Sequence, residues 1–249
     1  MTARRHSATT QRGLFISFEG GEGCGKTTQT RLLMQRLQEH GERAVLVKEP
    51  GSTPLGERLR ELLKGRVGMT PKTELLLFIA ARAELVSTVL WPTLDQGVHV
   101  IADRFSDSTI AYQGYGRKMG LETISDLNRL ATGGLKPDIT FLLNISAEES
   151  LRRSRGQRSL DGAAGGREAE EGQERFEQQP TAFHRRVLAG YRRLATAEPE
   201  RWCVLDGTEP VDALAAQVWE RVEAWLRKAR RRARRRGGRT GDGGQPRLL

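Results

Sequence analysis

The residues best equipped for chemistry form one run, Gly20-Gly21-Glu22-Gly23-Cys24-Gly25-Lys26-Thr27, followed by Thr28. The spacing is G-x-x-x-x-G-K-[ST], in which backbone N–H groups cradle phosphate oxygens, the lysine reaches the β/γ-phosphates and the hydroxyl ligates Mg²⁺. Gly20, Gly23 and Gly25 allow the positive φ that such a curl of backbone needs. A helix starting near Gly25 aims unpaired N–H groups and the positive end of its dipole at the same anion. The apolar run Leu14-Phe15-Ile16-Ser17-Phe18 precedes the glycines, and Leu32, Leu33 and Leu37 follow with helical spacing. Strand, loop and helix in that order distinguish a phosphate-binding loop from a chance match. The expected ligand is a nucleoside triphosphate.

Further elements must hold this loop. Apolar, β-branched runs predict strands at Ala44–Lys48, Val98–Ala102, Ile139–Asn144 and Trp202–Leu205. Helices are expected at 26–40, 55–63, Ser106–Tyr112, Leu121–Ala131, from Ser146 through Arg152, Phe176–Ala197 and Val211–Leu226. Another opens at Thr70-Pro71, carries the stripe Leu75, Leu76, Ile79, Ala83 and Val86, and ends before Pro92. Residues 154–174 lose periodicity and read as a loop. Alternating strands and helices predict an α/β fold, a parallel five-stranded sheet covered on both faces. Ligands bind at the carboxyl ends of such strands, where Glu49 follows one strand and Asp103-Arg104 another. An acid and a base at a phosphate-facing edge suggest a site, although Asp103 alone is also an ordinary strand ending.

The formal charge of +10 is unevenly placed. Ten Arg/Lys against Asp242 alone give residues 227–249 a charge of +9, Arg4, Arg5 and Arg12 give residues 1–12 +3, and 13–226 carries −2. Both ends are expected to be disordered, since a like-charge block without apolar residues cannot bury a core. The basic tail has no aromatic residue or reading motif, so contact with nucleic acid is expected to be non-specific at most. The two cysteines, Cys24 and Cys203, form no disulfide framework. With no apolar run near the ~20 residues of a membrane span and no secretory h-region, a cytoplasmic setting is expected.

Four motifs in order, F-E-G-G-E-G-C-G-K-T-T, E-P-G-S-T-P-L-G-E, L-L-L-F-I-A-A-R-A-E-L-V and D-R-F-S-D-S-T-I-A-Y-Q-G, resemble thymidylate kinases over about residues 13–226. The resemblance implies a three-layer P-loop kinase fold, dTMP and ATP as substrates, Mg²⁺, and a homodimer. It also implies that Phe78 stacks on thymine and that Arg82, one turn on, donates to its carbonyl edge; taken alone, Phe78 reads as a core residue, and Arg82 in the same register tips it toward the base. Thr109 and Gln113 would face N3 and O4, and Tyr112 would pack under the deoxyribose. Arg60 and Arg104 would hold the 5′-phosphate, with Thr27, Glu49 and Asp103 arranging Mg²⁺; on its charged helix Arg60 is otherwise merely solvated.

The P-loop's variable positions carry no cation, whereas residues 152–175 hold Arg152, Arg153, Arg155, Arg158, Arg167 and Arg175. This resembles the bacterial type in which a lid supplies the arginines. Arg153 and Arg175 are the expected contacts to ATP and the transition state, so Arg175→Ala would cut turnover by more than about tenfold and leave dTMP affinity nearly unchanged. Two departures stand out: Ser52 occupies a position usually held by glycine, and an insertion at about Ser159–Gly172 blurs which lid arginine is which. The rival readings are a kinase for another nucleotide, and a nucleotide-dependent binding protein acting through its tail. Truncation after Leu226 separates the second from an enzyme.

Overall fold

The structure, a computed structural model, describes residues 12–65, 67–163 and 174–237. The expectations for residues 1–11, for the centre of the lid insertion including Arg167, and for residues 238–249 lie outside the described residues.

Five strands, β1 (Phe15–Gly20), β2 (Ala44–Lys48), β3 (His99–Asp103), β4 (Ile139–Asn144) and β5 (Trp202–Asp206), form one parallel sheet in the order β2-β3-β1-β4-β5. β1 is central and buried throughout, and its side chains alternate between faces. Leu14, Ile16 and Phe18 pack with Leu33 and Leu37 of α1 (Lys26–Glu39) and with Val218 and Val222 of α10 (Val211–Gly237). On the other face Phe15 joins Leu85, Leu90 and Phe105. Register does the positioning. Phe18 pairs with Asp103 and Lys48 with Asp103, so the P-loop, Asp103 and Glu49 emerge along one edge, and the Glu49 N–H donates to the Asp103 carbonyl at 3.0 Å.

Helix α2 (Pro54–Lys64) follows β2. α3 (Pro71–Leu85) runs through a π turn, Val86–Leu90, into α4 (Trp91–Asp95). The expected stop at Pro92 is therefore corrected. Proline clashes with the carbonyl four residues back, and the wider i→i+5 turn just before it relaxes that register. The run Pro71–Asp95 is long and apolar enough to cross a bilayer by length and composition. In this fold one face of it packs into the core, with Leu75, Leu85 and Leu90 at most 2% exposed and Arg82 ion-paired inside the protein. After β3 come α5 (Ser106–Thr109), a second π turn, Ile110–Gly116, and α6 (Leu121–Thr132).

The lid region also differs from expectation. α7 (Ala147–Ala163) continues well past Arg152, α8 (Glu174–Glu177) is a separate turn, and α9 (Thr181–Ala197) starts after Pro180. α10 likewise continues beyond Leu226 to Gly237, where disorder was expected. Arginine, lysine and alanine are strong helix formers; Ala229 is buried, and Arg230 is ion-paired with Glu42.

Candidate active site

The P-loop has the backbone its composition predicts: Gly20, Gly23 and Gly25 all have positive φ, and Gly25 caps α1. Gly23 answers a second constraint, because a Cβ there would lie 2.7 Å from the Ser154 nitrogen and 3.0 Å from the Ser150 carbonyl. The Ser150 hydroxyl donates to the Glu22 carbonyl at 2.5 Å, tying α7 to the loop. Cys24 points into the core at 1% exposure, so only its backbone is available to a ligand, whereas Thr27 and Thr28 are exposed. Lys26 folds back across the loop, its Nζ 2.7 Å from the Gly21 carbonyl and 3.4 Å from that of Gly20.

At the strand tips Thr27 Oγ1 donates to Asp103 Oδ2 at 2.7 Å. Glu49 is buried and accepts from Arg82 Nη2 and Nε at 2.6 and 2.8 Å through Oε2, while its Oε1 is buried with no hydrogen-bond partner. Burial raises the Glu49 carboxyl above its ordinary value, and Arg82 opposes the rise. A hydroxyl, an accessible carboxylate and an orphaned carboxylate oxygen suit Mg²⁺, which keeps most of its waters and takes one or two carboxylates plus substrate phosphates. Among the described residues no cluster of three or more His, Cys, Asp or Glu could form an all-protein metal cage. Ser52 adopts φ 65°, the conformation glycine would take. Its hydroxyl accepts from the Lys48 N–H at 2.8 Å and its own N–H donates to Glu57 at 2.8 Å.

Arg104, at φ 74°, joins the two halves of the site. It donates to Glu22 at 2.7 Å, the Gly20 carbonyl at 3.0 Å, and the Tyr112 and Tyr191 hydroxyls, both at 3.2 Å. The Tyr112 hydroxyl donates to Glu22 at 3.0 Å. Burial would raise the Glu22 carboxyl, but Arg104 and then Lys26 hold it down at about 2. Beneath them Glu19 accepts from the Phe105 N–H, the Ser108 hydroxyl and the Tyr191 hydroxyl at 2.9, 2.6 and 2.9 Å. Burial, then the charge of Asp107, pushes Glu19 up to about 7.

On the acceptor side Phe78 is half-buried, its ring 6.1 Å from that of Phe176, which lies 5.2 Å from the Tyr112 ring. A line of rings thus runs from α3 to the P-loop mouth. Arg82 is 1% exposed. Besides Glu49 it donates to Thr109 at 2.9 Å, Asn128 at 2.7 Å and the Phe105 carbonyl at 3.3 Å. All five guanidinium N–H groups are thereby engaged. The expected bond to a pyrimidine carbonyl has no free donor in this arrangement and requires one of these partners to be released. Gln113, 1% exposed, donates to Glu74, which is ion-paired with Arg117. Arg60 is half-buried and not merely solvated; it donates to the Pro50 carbonyl at 2.7 Å and feels the charges of Glu57, Asp103, Arg104 and Glu22.

Arg153 and Arg175 go to different places. Arg153 is beside the P-loop, its Cβ 3.1 Å from the Cβ position of Gly23, and bonds Glu149 at 2.5 Å and the Gly207 carbonyl at 2.8 Å. Arg175 instead donates to the carbonyls of Leu63 and Gly65 at 3.0 and 3.2 Å, and to that of Val67. Its expected place over the transferring phosphate is corrected: the carbonyls left open at the end of α2 attract its guanidinium. Arg152 pairs with Glu149 on the surface. The Arg158 side chain lies outside the described residues. Sequence reasoning missed Asn128, Glu74 and Tyr191, which bear no motif. Glu19 did carry a signal, a carboxylate inside an apolar strand.

A P-loop at the carboxyl end of a parallel sheet's central strand, a carboxylate beside its threonine and a line of aromatic rings running up to its mouth together define a P-loop nucleotide kinase. The family model described as thymidylate kinase matches residues 18–218. A thymidylate kinase of Geotalea uraniireducens (strain Rf4) is 47% identical over 216 residues, covering 86% of this chain and 98% of that one. Another from Synechococcus sp. (strain JA-3-3Ab) is 48% identical over 214 residues, covering 86% and 97%. The crystal structure of thymidylate kinase from Ehrlichia chaffeensis aligns with a TM-score of 0.67 at 33% identity, covering 85% of this chain and 99% of that one. The chain belongs to the thymidylate kinase family.

Proposed function

We propose that the chain transfers the γ-phosphoryl group of ATP to dTMP, giving dTDP and ADP, in the synthesis of dTTP. The observation that carries this reading is the continuity of the half-buried Phe78 ring, through Phe176 and Tyr112, with Glu22 and Arg104 at the P-loop mouth. A pyrimidine stacked on Phe78 would direct its 5′-phosphate toward Arg104 and Arg60; base–aromatic stacking contributes about 1–3 kcal/mol.

The P-loop amides and Lys26 hold the donor's β/γ-phosphates, and Arg153 lies at the donor edge. Thr27, Asp103 and Glu49 would hold Mg²⁺ and its waters; when bound, the ion neutralises charge on the phosphates. The protein's remaining work is positioning and exclusion of water, since phosphoryl transfer has little covalent chemistry for side chains to do. Thr109, Gln113 and, after exchange of a partner, Arg82 face the pyrimidine edge. Tyr112 restricts the space beside the sugar.

A homodimer and a cytoplasmic setting complete the proposal. The first is supported by exposed Leu76, Leu121 and Leu130 on the neighbouring helices α3 and α6, the second by two free cysteines. An ADP-release assay with dTMP, dUMP, dCMP and dGMP tests the activity. dTMP is expected to be the best substrate, with dUMP weaker by about 10–200-fold for want of one methyl. Equal rates with dCMP or dGMP would remove dTMP as the acceptor.

A further inference from the structure

Helix α2 carries two basic residues one turn apart, Arg60 and Lys64, both half-buried. The charges acting on the Lys64 amine are those of Arg60, Glu22, Lys48 and Arg104. One turn beyond Arg60 on the same helix, it is near enough to the mouth of the site to feel these charges. In that group Lys48 is paired with Glu57 at 3.4 Å and Arg104 with Glu22 at 2.7 Å. Among the described residues neither Arg60 nor Lys64 forms an ion pair; Arg60 has the Pro50 carbonyl, and Lys64 has no hydrogen-bond acceptor. Partial burial, then the neighbouring Arg60 charge, lowers the Lys64 amine to about 8. The carboxylates of Glu57, Asp103 and Glu22 offset these charges only in part, since burial still outweighs them at both Arg60 and Lys64. A phosphate monoester with up to two negative charges balances them. The end of α2 is held in place from the lid, because Arg175 donates to the carbonyls of Leu63 and Gly65, which flank Lys64.

We propose that Lys64 is a phosphate-binding residue of the acceptor site, acting with Arg60 and Arg104, and that Arg175 positions it through the carbonyls on either side. The proposal rests on the reading of the pocket as a dTMP site. Calorimetric titration of wild type, Lys64→Met and Lys64→Arg with dTMP and with thymidine, which lacks the phosphate, tests it. Lys64→Met is expected to weaken dTMP binding by about ten- to a hundredfold and to leave thymidine binding unchanged, while Lys64→Arg keeps most of the dTMP affinity. Wild-type dTMP affinity in Lys64→Met overturns the proposal, as does an equal loss for both ligands, which would mark a structural role. A wild-type chain that binds dTMP no better than thymidine overturns the acceptor reading itself, and this inference with it.

Discussion

The halves of the site proposed to take the donor and the acceptor are built differently. The donor cradle is backbone, eight consecutive residues whose amides are aimed by three positive-φ glycines and one helix start. The acceptor half is side chain: Glu49, Arg82, Thr109 and Asn128 come from four separate elements and meet in one buried hydrogen-bonded group. A local cradle needs the fold only to present it. A distributed one is part of what holds the fold together, so changes there are expected to damage stability and chemistry at once.

Arg82→Met breaks that contrast most severely. It leaves the Glu49 carboxylate buried without its partner, which costs about 3–5 kcal/mol of stability; urea unfolding measures it, and a loss under about 1 kcal/mol would deny the group its structural role. Lys26→Met is the complementary change. Turnover should fall about 10²–10³-fold in the ADP-release assay while the melting temperature stays close to wild type, because Nζ bonds only loop carbonyls and the Cys24 sulfur.

Glu19 sharpens the comparison through pH. Its carboxyl rises from 4.5 unfolded to about 7 folded, so the native state binds more protons than the unfolded chain within that window. Stability from this group is therefore complete below about pH 4.5 and is lost as pH rises through about 7. Relative to Glu19→Gln, the wild type should lose a few degrees of melting temperature between pH 5 and 8, at about 1.36 kcal/mol per pH unit at most. A constant difference across that range would mean Glu19 titrates normally. Arg175→Ala should have the smallest effect, raising the KM for dTMP about two- to tenfold through the end of α2 and leaving turnover nearly unchanged. A fall in turnover of more than about tenfold at constant KM would return Arg175 to the transferring phosphate.

The P-loop, the five strands and the tips bearing Glu49 and Asp103 were legible in the sequence because each is a short-range pattern. The ends of α7 and α10 were misjudged, since helix propensity in charged, alanine-poor runs is a weak prior until a contact such as Arg230 with Glu42 decides it. Pro92 was overweighted because no local pattern announces the π turn that accommodates it. Arg175 went to the wrong partner for a related reason: a motif names the residue type but not the carbonyls waiting at the end of another helix.

The sequence by itself determined the phosphate-binding loop, the alternation that makes a parallel sheet, and the residue types at the strand tips. Those follow from backbone geometry and hydrophobic period, which act over a few residues. Only the tertiary structure decided that Arg82 is spent on Glu49, Thr109 and Asn128, that Arg153 lies beside the P-loop, and that Arg175 bonds the carbonyls at the end of α2. Partners tens of residues apart are chosen by packing and desolvation, and no local pattern encodes them.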